Sequence, residues 1–183
     1  MIFLVAVLAG LLFGGADQYL GSLVTLGPWT VSVSQMSAPW LILPFGFGCT
    51  QTRPGRAALV ALTATAAALT GYFAMTLSPV EGVALNSAQA FVPGLIGSNT
   101  ENIISGAITA PLCGLLGQRA RSGRWWPGAA LVAGALCLEP LARQAADRLY
   151  PPRYVWEGEV IAGLAVAVWA VVTAVATRRP RAT

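Results

Sequence analysis

The 183-residue chain contains no histidine and no lysine. Without histidine it lacks the commonest metal ligand and the commonest general base, and a serine–histidine–aspartate triad is excluded. Charge is also scarce. Asp, Glu, Lys and Arg together make up 10% of residues, against about 25% in a soluble domain. That is too few to clothe a globular surface in water. With 56% hydrophobic residues, lipid must cover much of this protein.

Other signatures are missing. There is no Walker loop, no HExxH and no GxSxG. The cysteines are Cys49, Cys113 and Cys137, each inside or at the end of an apolar run and none in a CxxC pair. They read as small buried hydrophobes rather than as a metal site or a disulfide framework. An intramembrane aspartyl protease would need two helix-borne aspartates at depth, whereas Asp17 and Asp147 both fall near the outer surface in the topology below. No catalysis, metal or cofactor is expected. The net charge of +4 does not point to nucleic acid, because the arginines lie in short loops beside apolar runs, where topology signals sit.

What is present is a series of apolar runs. A spanning helix needs about 20 mostly apolar residues, and about six runs qualify: Met1–Val24, Val31–Cys49, Ala57–Leu77, Thr100–Gly117, Pro127–Ala146 and Val155–Thr177. The first lacks the basic segment that opens a signal peptide and is read as a helix, although Leu12–Ala16 holds small residues that a peptidase can accept. The chain is thus expected to be all-α: a polytopic membrane helix bundle forming a single domain over residues 1–183.

The loops set an orientation. Arg53 and Arg56, Arg119, Arg121 and Arg124, and Arg178, Arg179 and Arg181 fall on one side; Arg143, Arg148 and Arg153 fall on the other. The positive-inside rule places the termini in the cytoplasm. The acids segregate independently: Asp17, Glu81, Glu101, Glu139, Asp147, Glu157 and Glu159 all map to the outer half. An all-arginine, Ala- and Gly-rich chain has the composition of a high-GC bacterial genome, so the expected location is a bacterial plasma membrane.

The link from Ser78 to Asn99 is long, and its apolar middle, Val83–Val92, suits an outer lid, an interfacial helix or a re-entrant segment. Leu43–Gly48 and Ala110–Gly117 each combine Pro and Gly before an arginine loop, which reads as common hairpin grammar or as a diverged repeat. Ala58, Ala61, Thr65 and Ala68, then Gly106 and Ala110, then Ala129, Ala133 and Gly134 recur at helical spacing, as close helix packing or a partner's docking face requires.

Ionisable groups at membrane depth are costly and face an interior or a cavity. Asp17 and Gln18 lie roughly 24 Å along their helix from Met1, and Gln35 and Glu139 have similar depth. Asp17, Gln18, Glu101 and Glu139 are therefore the candidate ligand-binding residues. Each also has a local reading. Glu139 can pair with Arg143 at i,i+4, and Pro140 beside it can bend the helix. Glu101, Glu157 and Glu159 can complement a helix N-terminus, with Ser98 and Thr100 as N-caps. Tyr19, Trp29, Trp40, Tyr150, Tyr154 and Trp156 on the outer side, and Trp125 and Trp126 on the inner, fit aromatic belts.

Gly14-Gly15-Ala16-Asp17-Gln18, Ala38-Pro39-Trp40 leading to Phe45-Gly46-Phe47-Gly48, and Gly71-Tyr72-Phe73 resemble an uncharacterised actinobacterial family of small integral membrane proteins. That family has no assigned activity, so no residue role carries over. The size and span count are also similar to substrate-binding subunits of energy-coupling-factor vitamin transporters. That resemblance implies six helices, an outward pocket and a small-residue docking face, for which Ala6 and Gly10 are placed. Three functions stay open: binding or translocating a small cationic or polar solute through an outward-facing polar cavity; a membrane scaffold or partner-binding protein; and a substrate-binding subunit with a membrane or cytoplasmic partner.

Overall fold

The computed structural model describes residues 1–83, 88–121, 126–145 and 152–178. Arg124, Trp125, Asp147, Arg148, Tyr150, Arg179 and Arg181 lie outside them, as does 84–87 of the long link. The described residues form eight α-helices and no strand: α1 (Ile2–Ser22), α2 (Pro28–Ser34), α3 (Ala38–Cys49), α4 (Pro54–Thr76), α5 (Ala88–Ser98), α6 (Thr100–Arg121), α7 (Trp126–Ala145) and α8 (Arg153–Arg178). Among them α1, α4 and α8 are long and apolar enough to cross a membrane.

Helix packing follows from small residues. Lipid tails are as apolar as leucine, so association depends on close backbone approach rather than on hydrophobic burial. On α1, a Cβ at Gly14 would stand 1.8 Å from the Ala68 carbonyl oxygen, and on α4 one at Gly71 would stand 2.3 Å from that of Leu11. Only glycine permits that crossing. Ala6, Ala64 and Ala68 are fully buried in the same seam. Ala6 and Gly10, placed above on a partner-docking face, are instead covered by α4: a Cβ at Gly10 would meet the Ala64 carbonyl oxygen at 2.3 Å.

The two Pro/Gly words of the sequence meet each other. A Cβ at Gly48 would lie 2.1 Å from the Gly114 carbonyl oxygen, and one at Gly117 would lie 2.1 Å from that of Phe45, so α3 and α6 cross backbone to backbone. A second core joins α3, α6, α7 and α8 through Ala38, Phe45, Cys113, Ala129, Val132, Leu136 and Ala170. Leucine, isoleucine and valine cover the outside: Leu4, Leu8 and Leu12 on α1, Ile104, Ile108 and Leu112 on α6, Leu131 and Leu138 on α7, and Ile161, Leu164, Val168, Val172 and Val175 on α8 are all exposed.

Two local expectations are corrected. The run from Val31 to Cys49 is not one helix: α2 ends at Ser34 and α3 begins at Ala38. Pro39 explains the interruption. It has no N–H to donate to the Gln35 carbonyl four residues back, and its ring disfavours a helical residue before it. Ser98 and Thr100 are not N-caps of α6 either. Ser98 Oγ donates to the Leu95 carbonyl, and Thr100 Oγ1 donates to those of Ile96 and Gly97. Since α5 runs into α6 with only Asn99 between, these hydroxyls close the carbonyls that α5 leaves open.

Candidate functional site

The break between α2 and α3 organises the site. A non-helical stretch of backbone needs partners for its polar groups wherever it is shielded from water, and here α7 supplies them. The Ser37 N–H donates to Glu139 Oε1 at 2.7 Å. The same oxygen accepts from Arg143 Nε at 2.9 Å and Nη2 at 2.8 Å. Arg143 Nη2 also donates to the Gln35 carbonyl, the acceptor that Pro39 leaves without its helical donor. The i,i+4 pair expected between Glu139 and Arg143 therefore forms, and it also ties a helix break to a neighbouring helix. Its side chains are only 12% and 15% exposed respectively.

Beside this clamp lies a cavity of about 730 Å³. Its walls come from α1 (Asp17), the break (Gln35, Met36, Ser37), α3 (Trp40), α4 (Thr65, Tyr72), α6 (Asn102, Ser105, Thr109) and α7 (Arg143). Asp17 reaches it because Gly14, one turn earlier, draws α1 tight against α4. Asp17 is 9% exposed, and its Oδ2 accepts from the Trp40 indole N–H at 3.2 Å. Trp40 stacks edge-on with Phe13, ring centres 5.3 Å apart, and with Tyr72 at 6.2 Å. The Thr65 hydroxyl is buried with no hydrogen-bond partner within the described residues.

Of the four candidate ligands, Asp17 lines the cavity. Glu139 stands behind Arg143, which lines it. Gln18 is half-buried and Glu101 exposed, and neither belongs to the wall. No three His, Cys, Asp or Glu side chains converge among the described residues. Asp17 and Glu139 thus share one region through Arg143, without forming a carboxylate cage together with Gln18 and Glu101.

Several cavity residues were hidden in the sequence. Trp40 read as part of an interfacial belt, yet it turns inward to Asp17. Arg143 read only as a partner for Glu139. The remaining acids also separate. Glu157 is bridged to Arg153 at 2.8 Å in an exposed pair. Glu159, read as an acid of a first helical turn, lies beyond that turn because α8 starts at Arg153, and it is only 6% exposed. Spacing gave no sign of its burial, because its cover comes from other helices.

Chemically, the cavity offers one carboxylate not offset by an ion pair among the described residues, three aromatic side chains (Trp40, Tyr72 and Phe73), amides and hydroxyls. The Glu139–Arg143 pair contributes no net charge. Compared with protein-family models, with curated proteins and with solved structures, the chain matches none.

Proposed function

We propose that the protein is a multi-pass membrane protein of about six spans that binds or translocates a small cationic or polar solute, foremost a protonated amine, in the Asp17 cavity. The observation that carries the reading is Asp17 itself. A carboxylate at this depth is costly to keep, and here it lies in a cavity wall that Trp40 and Tyr72 also line. An ammonium would gain a charge-assisted hydrogen bond from the carboxylate and cation–π attraction from the rings.

The span count draws support from α6. Ile104, Ile108 and Leu112 form an exposed apolar stripe at i, i+4 and i+8, which suits a lipid-facing surface even though Asn102, Ser105 and Thr109 face the cavity. The arginine distribution supports cytoplasmic termini in a bacterial plasma membrane, with the cavity opening outward. The reading is binding or passage, not catalysis, and assigns no cofactor.

The test is a panel of primary, secondary and quaternary amines and neutral polar solutes, screened against the chain in lipid nanodiscs. Binding is read by thermal shift and by quenching of tryptophan emission. At least one amine is expected to bind, and Asp17→Asn should weaken it by about 10- to 100-fold, since a hydrogen bond to a charged group contributes about 1.5–3 kcal/mol. A folded protein that binds none of the panel would favour the scaffold reading, as would binding insensitive to Asp17→Asn.

A further inference from the structure

One charged group in the cavity wall keeps unused donors. The Arg143 guanidinium carries five N–H groups in a planar fork. Nε and Nη2 donate to Glu139 Oε1, and Nη2 also donates to the Gln35 carbonyl. Nη1, with two of the five, has no acceptor among the described residues. Nor is it sealed off. The enclosed side-chain polar atoms without a partner among those residues belong to Thr65, Glu81 and Glu159, whereas the Arg143 side chain keeps 15% of its surface exposed and lines the cavity.

Two opposite demands therefore meet in one cavity. Asp17 is an acceptor whose partner among the described residues is a neutral donor, the Trp40 indole N–H. Arg143 is a cation held in place by Glu139, with Nη1 uncommitted. A purely cationic solute would answer Asp17 but bring its charge toward the guanidinium. A solute with a carboxylate at its other end answers both, and a carboxylate is the group that a guanidinium edge fits best. The volume agrees. A cavity of about 730 Å³ is of the size that holds a whole small-molecule ligand, more than an ammonium head fills.

We propose that the Asp17 cavity is a zwitterion site, taking an amino-acid-like solute whose ammonium binds Asp17 and whose carboxylate binds Arg143 Nη1. This rests on the solute reading above and narrows it to amines that also carry a carboxylate. Arg143 then has two duties, pinning the helix break and recognising the solute. Glu139 holds the guanidinium in position and competes with the solute for its charge.

The experiment is isothermal titration calorimetry of the full chain in lipid nanodiscs with matched probes: β-alanine against ethylamine, γ-aminobutyrate against propylamine, leucine against isopentylamine, and phenylalanine against phenethylamine. Within a pair only the carboxylate differs. At least one amino acid should bind about 10-fold or more tightly than its amine, as a hydrogen bond between charged groups allows. In Glu139→Gln, which removes the competing carboxylate and keeps Arg143, that preference should rise. The wild-type comparison decides the matter even if Glu139→Gln fails to fold. Amines that bind as tightly as their amino acids, or a preference that does not rise in folded Glu139→Gln, would overturn the zwitterion site and leave the amine reading standing. No binding by either member of any pair would overturn both.

Discussion

Arg143→Ala should be the most damaging single change at the helix break, and Glu139→Gln a mild one. Removing the guanidinium takes both donors from Glu139 Oε1 other than the Ser37 N–H and strips the Gln35 carbonyl of its partner. It leaves a carboxylate side chain only 12% exposed. Breaking a buried pair from one side costs about 3–5 kcal/mol. Glutamine at 139 keeps the shape and an acceptor for Ser37, and Arg143 retains the Gln35 carbonyl. That variant takes the counter-charge from Arg143 but leaves the guanidinium its carbonyl acceptors, so it should cost less, about 1–2 kcal/mol. At about 2–4 °C per kcal/mol for a chain of this length, Arg143→Ala should lower the melting temperature by roughly 6–20 °C and Glu139→Gln by roughly 2–8 °C. Intrinsic tryptophan emission during heating in nanodiscs reads both. Equal and negligible losses, or the reverse order, would refute the view that this pair is buried and pins the break.

The α1–α4 crossing predicts a graded effect of size. A Cβ 1.8 Å from the Ala68 carbonyl oxygen needs the helices to part, so Gly14→Ala should cost about 1–3 kcal/mol as overpacking. Gly134→Ala, where a Cβ meets nothing within 4 Å, should melt like wild type; the same loss at both positions would count against close contact as the cause. For topology, in a variant lacking the native cysteines, Thr52→Cys should resist an impermeant thiol reagent added outside intact cells and Val80→Cys should react. Both positions are exposed on the protein, so labelling of Thr52→Cys would reverse the proposed orientation.

The helices were legible wherever length and apolar composition decide the matter. The segments α1, α4 and α8 follow the apolar runs because a chain in lipid has to satisfy its backbone internally. Of the small residues that marked close packing, Ala61, Thr65, Ala68, Ala110, Ala129 and Ala133 are buried, whereas Ala58, Gly106 and Gly134 are only half-buried. What escaped was decided by partners distant in sequence. Val31–Cys49 is apolar throughout, and hydropathy does not register that Pro39 leaves the Gln35 carbonyl open; the break became tolerable through Arg143, 108 residues away. Asp17 stood out because an acid interrupts an apolar run, but its partner Trp40 resembled any interfacial aromatic. Glu159 was the least legible, since near a helix start a solvated acid and a buried one look alike.

These failures share a cause that bears on function. A polar group inside a membrane protein that is satisfied within its own helix can be read locally, as the exposed Arg153–Glu157 pair can. One satisfied across helices cannot. Gln118 and Arg121 make such bonds to the loop between α3 and α4, at the arginine-rich end of the bundle. At the opposite end, three more gather around the cavity: Trp40 to Asp17, Ser37 to Glu139, Arg143 to Gln35. Long-range polar bonds are costly to arrange, because each fixes the relative position of two helices that small-residue packing alone would let slide. The first group fastens a loop with exposed arginines of its own, Arg53 within it and Arg56 just beyond. The second converges on one helix break and one carboxylate. That convergence is the strongest physical ground for placing the working part of this protein there.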